Sequence, residues 1–297
     1  MNKIGLHFGY MRGTPYESDI FQAIPVVCSA GAEILEIPAG YIFPLNQSER
    51  SRLRAMAADH GLTLTMTGSM DEKTDIASDD PEIRAEGEIF ACQVLQAASD
   101  IGASTWGGVN YQAWLGRPRQ LLTAAEKERI RDLSLVSLRR IIKTAEDLGI
   151  DYCFEIVNRF EGFLLNTAEE GLRYVQDVGS ERAKILLDTY HMNIEEDSIV
   201  DAMDMVQQAG CLGHFHVGES NRRIPGTGKT HMPWDDIFDS LKRNRYRGTI
   251  VMEPFVRMGL PSSMNTCTWR QLTANTCFEE YMRDVTTGVS YIQSHLK

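Results

Sequence analysis

The chain contains 297 residues, of which 43% are hydrophobic, and its formal net charge at pH 7 is -11. A chain of this size can bury a large core, and its negative charge disfavours a nucleic-acid partner because the phosphate backbone would be repelled. The sequence has neither a signal-peptide core nor the roughly 18 to 20 consecutive apolar residues of a membrane helix, so we expect a cytoplasmic protein with no membrane partner.

Short apolar segments alternate with longer amphipathic segments along the chain. The short segments have the length and composition of strands, and each interval between them can hold a helix. Eight strands are predicted, at 3–10, 32–39, 62–68, 104–111, 151–158, 183–190, 211–219 and 248–255.

Two of the intervening segments have recognisable helix ends. In the first, Asp80 is a candidate N-cap and Gly102 a candidate C-terminal stop. In the second, Thr123 is followed three residues later by Glu126, which predicts a capping box, and Gly149 ends the helix.

The repeated order of helix, glycine and apolar strand predicts a parallel sheet with crossover helices. Eight βα units in a chain of this length indicate an α/β protein with a single (β/α)8 TIM barrel, and we expect one domain over 1–297. The alternative is a doubly wound open sheet, but "GLHFGYMRG" (5–13) does not match the G-x-G-x-x-G spacing that often opens such a sheet.

The six cysteines are scattered and form no Cys-x-x-Cys pair. Most of them lie in apolar segments, so we expect buried free thiols in a reducing compartment.

Ionisable side chains stand at the ends of the last four predicted strands: Glu155, Asp188, His216 and Glu253. A single acid at a strand end is more often a solvated rim residue or a helix N-cap. Ionisable residues at four adjacent strand ends favour a functional site, because the catalytic groups of TIM barrels lie at this end of the barrel. Three carboxylates and an imidazole brought together would be costly to desolvate without a cation. The sequence therefore predicts a divalent metal site.

The ligand set is mainly oxygen, which favours Mn²⁺, Mg²⁺ or Co²⁺ over a structural zinc ion. His214 points to the same face of its strand as His216, and it either supports the site or is a satisfied core histidine. No function is assigned to His60, His231 or His295.

Four segments resemble the D-tagatose 3-epimerase and D-psicose 3-epimerase family of ketose 3-epimerases. They are "FEIVNRFEGFLLNT" (154–167), "LLDTYHMNIEED" (186–197), "GHFHVGESNRRIPGTG" (213–228) and "VMEPFV" (251–256). The resemblance extends from the first strand to the last helix and is densest over residues 150 to 256.

This resemblance implies a TIM barrel that binds Mn²⁺ most often, or Co²⁺, and that interconverts the C3 epimers of free ketoses. It implies the same four metal ligands, with Glu155 and Glu253 also acting as catalytic acid and base. It further implies a homodimer or homotetramer and a substrate-binding set made of Glu161, His191, Arg222, Trp114 and, where relatives commonly have an aromatic residue, His7.

Other functions remain open at this point. An aldose-ketose isomerase or an inosose dehydratase could use the same barrel and metal, and a sugar-binding protein without activity is a further alternative. An abasic-site endonuclease would need a histidine-rich zinc cluster and a basic face, which the sequence lacks. The preferred ketose is also open, although a phosphorylated substrate is disfavoured because the loops after strands 7 and 8 show no backbone phosphate cradle.

Overall fold

The computed structural model describes residues 2–118, 120–273 and 277–297. Its eight strands pair in sequence order, all parallel, and β8 closes on β1 to form a barrel. The predicted (β/α)8 barrel is thus confirmed. The strands are β1 (Ile4–His7), β2 (Ile34–Pro38), β3 (Thr63–Thr67), β4 (Thr105–Gly108), β5 (Asp151–Glu155), β6 (Ala183–Asp188), β7 (Leu212–Val217) and β8 (Thr249–Met252).

Helices occupy the intervals between the strands in the described part of the chain. They are α1 (Ile20–Ser29), α2 (Gln47–Asp59), α3 (Pro81–Ile101), α4 (Ala124–Leu148), α5 (Ala168–Val178), α6 (Thr189–Glu195), α7 (Ile199–Gln208), α8 (Trp234–Arg243), α9 (Pro261–Asn265) and α10 (Phe278–Leu296). Short 3₁₀ turns cover Phe8–Met11 and Ala39–Tyr41. No helix among the described residues is long and apolar enough to cross a bilayer.

Every strand is shorter than predicted, and six of the eight lose more residues at the carboxyl end than at the amino end. After β1, the ring Nδ1 of His7 accepts a hydrogen bond from the backbone N–H of Gly9, and the chain turns into a 3₁₀ helix. After β6, the side chain of Asp188 accepts from the backbone N–H of Tyr190 and caps α6. Polar side chains at the barrel mouth therefore end the strands earlier than the apolar pattern indicates.

The predicted helix ends are largely found. Asp80 caps α3, and Gly102 and Gly149 end α3 and α4 in the left-handed conformation, with φ of 74° and 70°. The hydroxyl of Thr123 accepts from the backbone N–H of Glu126, but the Glu126 carboxylate pairs with Arg129. Only the Thr123 half of the predicted capping box is therefore formed among the described residues.

The longer helices bury an apolar face in the core. In α8 the buried residues Trp234, Ile237, Phe238 and Leu241 follow the i, i+3, i+4, i+7 spacing of one helix face. Complete burial of such a side chain contributes about 1.5 to 3 kcal/mol relative to exposure.

A bulge in β7 fixes the alignment of two site residues. The pairing of β6 with β7 shifts by one residue and leaves Gly213 without a partner in β6. A Cβ atom on Gly213 would lie 2.6 Å from Cβ of Lys184, so the close approach requires glycine. Beyond the bulge, Asp188 stands directly opposite His216, and the two side chains share the inner face of the barrel.

All six cysteines are free thiols, but their predicted burial is largely wrong. Cys153 alone is buried, whereas Cys267 and Cys277 are exposed. Both exposed cysteines lie in the segment between β8 and α10.

Candidate active site

Glu155, Asp188, His216 and Glu253 converge at the carboxyl ends of β5 to β8. One ligand atom from each residue lies within 4.8 Å of the ligand atoms of the other three. The Nδ1 atom of His216 is 3.6 Å from Oε2 of Glu253 and 3.9 Å from Oε1 of Glu155. This arrangement is a candidate metal centre built from three carboxylates and one imidazole.

The surroundings of His216 fit a cation. Its ring is fully buried, and its Nδ1 atom has no hydrogen-bond partner among the described residues. A buried polar atom without a partner is costly, and this one faces three carboxylates. A divalent ion with mainly oxygen ligands would satisfy the nitrogen and neutralise the acids.

Burial by itself raises the pKa of both glutamates. For Glu155 this effect prevails, and its pKa lies above the ordinary value. For Glu253 the nearby charges of His216, His7 and Arg222 outweigh burial and hold the pKa below its ordinary range. The two carboxyl groups therefore occupy electrostatically different positions.

Arg222 reaches the cluster from the loop after β7. Its Nη1 donates to Oδ2 of Asp188 at 2.7 Å and to Oε2 of Glu253 at 2.9 Å, and its guanidinium lies 3.9 Å from the centroid of the Tyr190 ring. Its φ of 65° is left-handed, in a turn closed by a hydrogen bond from its N–H to the carbonyl of Glu219. The tight turn directs Arg222 inward.

Several polar side chains beside the metal cluster are held in place by contacts with one another. Nδ1 of His191 faces the side-chain amide nitrogen of Asn158 at 2.7 Å, and Nε2 of His191 is 3.5 Å from Oε1 of Glu155. The indole N–H of Trp114 donates to Oε2 of Glu161 at 2.9 Å. Burial opposes ionisation of Glu161, but the charges of His191 and Arg222 outweigh burial and lower its pKa.

His7 lies on the opposite side, at the end of β1. Its Nδ1 accepts from Gly9, and its Nε2 is 3.8 Å from Oε1 of Glu253. Its ring meets the ring of Phe255 edge to face. His7 thus borders the cluster from the first half of the barrel.

A cavity of about 290 Å³ joins these residues. It is lined by both glutamates of the metal cluster and by all five residues of the predicted substrate-binding set, while Asp188 and His216 lie beneath it with 1% and 0% exposure. Residues that the sequence analysis did not select complete the lining, among them Arg12, Thr67, Ser69 and Asn265.

A larger cavity of about 480 Å³ lies outside this region, between the loops after β3 and β4. It is lined by acids such as Asp80 and Glu126, and neither candidate metal cluster found among the described residues contributes to it. The smaller cavity is therefore the better candidate for chemistry.

Glu36 is the main residue that the sequence analysis missed. It lies in β2, is fully buried, and its two carboxylate oxygens are each 2.8 Å from a ring Nε2 atom, one of His214 and one of His216. A charge in the middle of the apolar segment "AEILEIPA" (32–39) was the available signal.

Other polar residues of the strand ends point elsewhere. Glu219 binds Trp234 and Thr230 outside the cavity lining, and Arg159 pairs with Glu195. Arg223 contributes to a different cavity from Arg222, in agreement with the expectation that neighbouring side chains diverge.

Comparisons with known proteins agree with this geometry. A family model described as xylose isomerase-like TIM barrel matches residues 25–271. The chain is 37% identical to a D-psicose 3-epimerase of Ruminiclostridium cellulolyticum, in an alignment that covers 91% of this chain and 90% of the relative. It is 30% identical to an L-ribulose 3-epimerase of Mesorhizobium japonicum, with 93% and 89% covered.

Solved structures of ketose 3-epimerases are also similar to this chain. The crystal structure of the D-psicose 3-epimerase from Clostridium cellulolyticum H10 with D-tagatose matches with a TM-score of 0.92 at 33% identity, over 99% of each chain. The chain therefore belongs to the D-tagatose 3-epimerase and D-psicose 3-epimerase family of ketose 3-epimerases, within the xylose isomerase-like TIM barrels, and it is an enzyme of the isomerase class.

Proposed function

We propose that this enzyme is a divalent-metal-dependent 3-epimerase of free ketoses. The observation that carries the proposal is the pair of buried carboxylates, Glu155 and Glu253, which border one cavity and both face Nδ1 of His216. A protein that only bound sugar would not need two such bases, whereas inversion of one carbon does.

The residues that would hold the ion are Glu155, Asp188, His216 and Glu253. We infer Mn²⁺ as the ion, with Co²⁺ and Mg²⁺ as alternatives, because the donors are mainly oxygen atoms. When bound, the ion supplies a positive charge that stabilises negative charge on O2 and O3 of the ketose.

The two glutamates would move the proton. One glutamate, as the carboxylate, removes the proton from C3, and the C–H electron pair forms the C2=C3 double bond of an enediolate while the carbonyl pair moves to O2. The other glutamate, in its carboxylic acid form, then delivers its proton to the opposite face of C3. C3 is thereby inverted, and the reverse reaction uses the two groups in exchanged roles.

Glu161, His191 and Arg222 would hold O1 to O3 of the ketose. Arg222 supports this function because its guanidinium borders Asp188 and Glu253. A positive charge at this position would stabilise the negative charge that develops on the bound substrate. Trp114 would fix Glu161 through its indole N–H. His7 would contact the other end of the sugar from the carboxyl end of β1.

The substrates we infer are five- and six-carbon free ketoses. The relatives are named for D-psicose and L-ribulose, and one solved relative contains D-tagatose. The pairs D-fructose/D-psicose, D-tagatose/D-sorbose and L-ribulose/L-xylulose are therefore the first candidates.

We also infer a homodimer or homotetramer. Met258, Met264 and Trp269 are between 52% and 66% exposed in the segment after β8, and burial of these side chains against a second copy would be favourable. Light scattering coupled to size exclusion would measure the assembly.

The decisive test is a panel of free ketoses incubated with Mn²⁺-loaded protein in D₂O. The proposal expects C3 epimers with deuterium at C3. Deuterium at C1 with aldose formation would instead identify an aldose-ketose isomerase, and loss of water would identify a dehydratase.

A further inference from the structure

Four side chains form a continuous hydrogen-bonded row beneath the candidate metal centre. The Thr249 hydroxyl contacts Nδ1 of His214, and Nε2 of His214 contacts Oε1 of Glu36. The other oxygen of Glu36 contacts Nε2 of His216. Glu36 and both histidine rings are fully buried, and Thr249 at the end of the row is half-buried.

The chemistry of the row fixes the position of each proton. An ionised carboxylate only accepts hydrogen bonds, so both Nε2 atoms must carry the hydrogens that they donate to Glu36. His214 can donate from Nε2 while its Nδ1 accepts from the Thr249 hydroxyl. His216 donates from Nε2 as well, which leaves the lone pair of its Nδ1 available to an ion held with Glu155 and Glu253.

We propose that Glu36 is a positioning residue that holds His216 in the tautomer and ring orientation needed to bind a divalent ion through Nδ1, with Thr249 and His214 orienting Glu36 in turn. The proposal rests on the metal dependence proposed above. A carboxylate that holds the second nitrogen of a ligand histidine also increases the basicity of the nitrogen that faces the metal.

The location of Glu36 argues for this function over a general structural one. Glu36 comes from β2, across the barrel from β7, and burial of its charge is expensive unless both oxygens are paired. The neighbouring Thr65 of β3 stands opposite Glu36 in the sheet, is fully buried, and has a hydroxyl without a hydrogen-bond partner in the described chain. The barrel interior therefore tolerates the unpaired hydroxyl of Thr65. In contrast, both carboxylate oxygens of Glu36 are hydrogen-bonded.

The main test is Mn²⁺ binding to metal-stripped protein, measured by titration calorimetry. For Glu36→Gln we expect the Kd to rise about 10- to 100-fold, because an amide cannot accept from both rings. For Thr249→Val we expect a smaller rise, and for Thr249→Ser a Kd close to that of the parent because the hydroxyl is kept. Thr65→Val is the matched control, and its Kd should not change.

A second measurement detects the tautomer directly. ¹⁵N NMR of labelled histidine, with diamagnetic Mg²⁺ in the site, should show His214 and His216 protonated at Nε2 in the parent. In Glu36→Gln, one of the two rings should become protonated at Nδ1, since the amide NH₂ group needs an acceptor. If Glu36→Gln does not fold, as judged by circular dichroism, the comparison of Thr249→Val with Thr249→Ser and Thr65→Val decides the question.

Three results would overturn the proposal. Unchanged Mn²⁺ affinity in both Glu36→Gln and Thr249→Val would show that the row does not act on the ligand. Two ions per chain in the parent, with one lost in Glu36→Gln, would make Glu36 a metal ligand of the cluster Glu36, His214 and His216. No Mn²⁺ binding by the parent would refute the metal dependence itself, an outcome distinct from failure of the Glu36 variants alone.

Discussion

The two halves of the barrel contribute to the site in different ways. The half built from β5 to β8 supplies all four residues of the candidate metal cluster and, in the segments that follow its strands, Glu161, His191 and Arg222. Strands β1 to β4 supply none of the four. They contribute Glu36 beneath the cluster, and His7 and Trp114 in the cavity wall.

This difference suggests that one half of the barrel carries the proposed proton transfer, while the other half positions the metal ligands and the substrate. We expect changes to the cavity-lining residues of the β5–β8 half to act mainly on kcat, because these residues would surround the reacting carbon in the proposed mechanism. We expect changes in the β1–β4 half to act on KM or on metal affinity. Four predictions test this division, from the largest expected effect to the smallest.

Removal of the metal should have the largest effect. Dialysis against EDTA should abolish C3 epimerisation, and added Mn²⁺ should restore it, because the buried carboxylates then lose their counterion. Thermal unfolding should also shift, since an ion at about 100 times its Kd stabilises the folded state by about 2.7 kcal/mol. Protein treated with Mn²⁺-saturated EDTA is the control. Full activity in the stripped protein would refute the metal site.

Glu155→Gln and Glu253→Gln should each lower kcat by about 10²- to 10⁴-fold at saturating Mn²⁺, because general acid–base transfer on one face of C3 is lost. The readout is epimer formation together with deuterium exchange at C3. Glu195→Gln is the matched control, since Glu195 pairs with Arg159 outside the cavity lining. Normal turnover by either active-site variant would contradict the two-base scheme.

Trp114→Phe should mainly raise KM. The change removes the hydrogen bond to Glu161 but keeps an aromatic ring, and a bond of this kind is worth about 0.5 to 3 kcal/mol. We expect KM to rise about 3- to 30-fold with kcat nearly unchanged, as measured by steady-state kinetics. A large fall in kcat at constant KM would place Trp114 with the chemical half of the site instead.

Gly213→Ala should affect stability more than chemistry. Its Cβ would lie 2.6 Å from Cβ of Lys184, and relief of such overpacking costs about 1 to 3 kcal/mol. Urea unfolding measures the loss. Gly40→Ala is the control, because a Cβ there would meet nothing within 4 Å. Equal unfolding midpoints for the two variants would mean that β7 accommodates the added methyl group without strain.

Sequence reasoning was most successful where local patterns repeat. The eight strands, their order and the ends of α3 and α4 follow from periodicity and capping, which are local properties of the chain. The four cluster residues could also be identified from the sequence. Parallel strands end at the same rim of the barrel, and the ends of β5 to β8 each carry an ionisable residue. The prediction that the cysteines are buried was correct for Cys153 but largely wrong for the others, because exposure depends on which elements cover a segment.

Glu36 marks the limit of this reasoning. It lies 178 residues from His214 and 180 from His216, and its strand reads as an ordinary apolar segment with one charge. Nothing local indicates that barrel closure brings this charge beneath β7. The inward direction of Arg222 likewise depends on a left-handed turn closed by Glu219.

The sequence by itself determined the alternation of strands and helices, the barrel, and the three acids and one imidazole at consecutive strand ends, because each of these follows from a short-range pattern in the chain. The tertiary structure alone decided which oxygen faces which nitrogen. Contacts across the barrel interior join residues far apart in the chain, and their distances depend on the register and closure of all eight strands together.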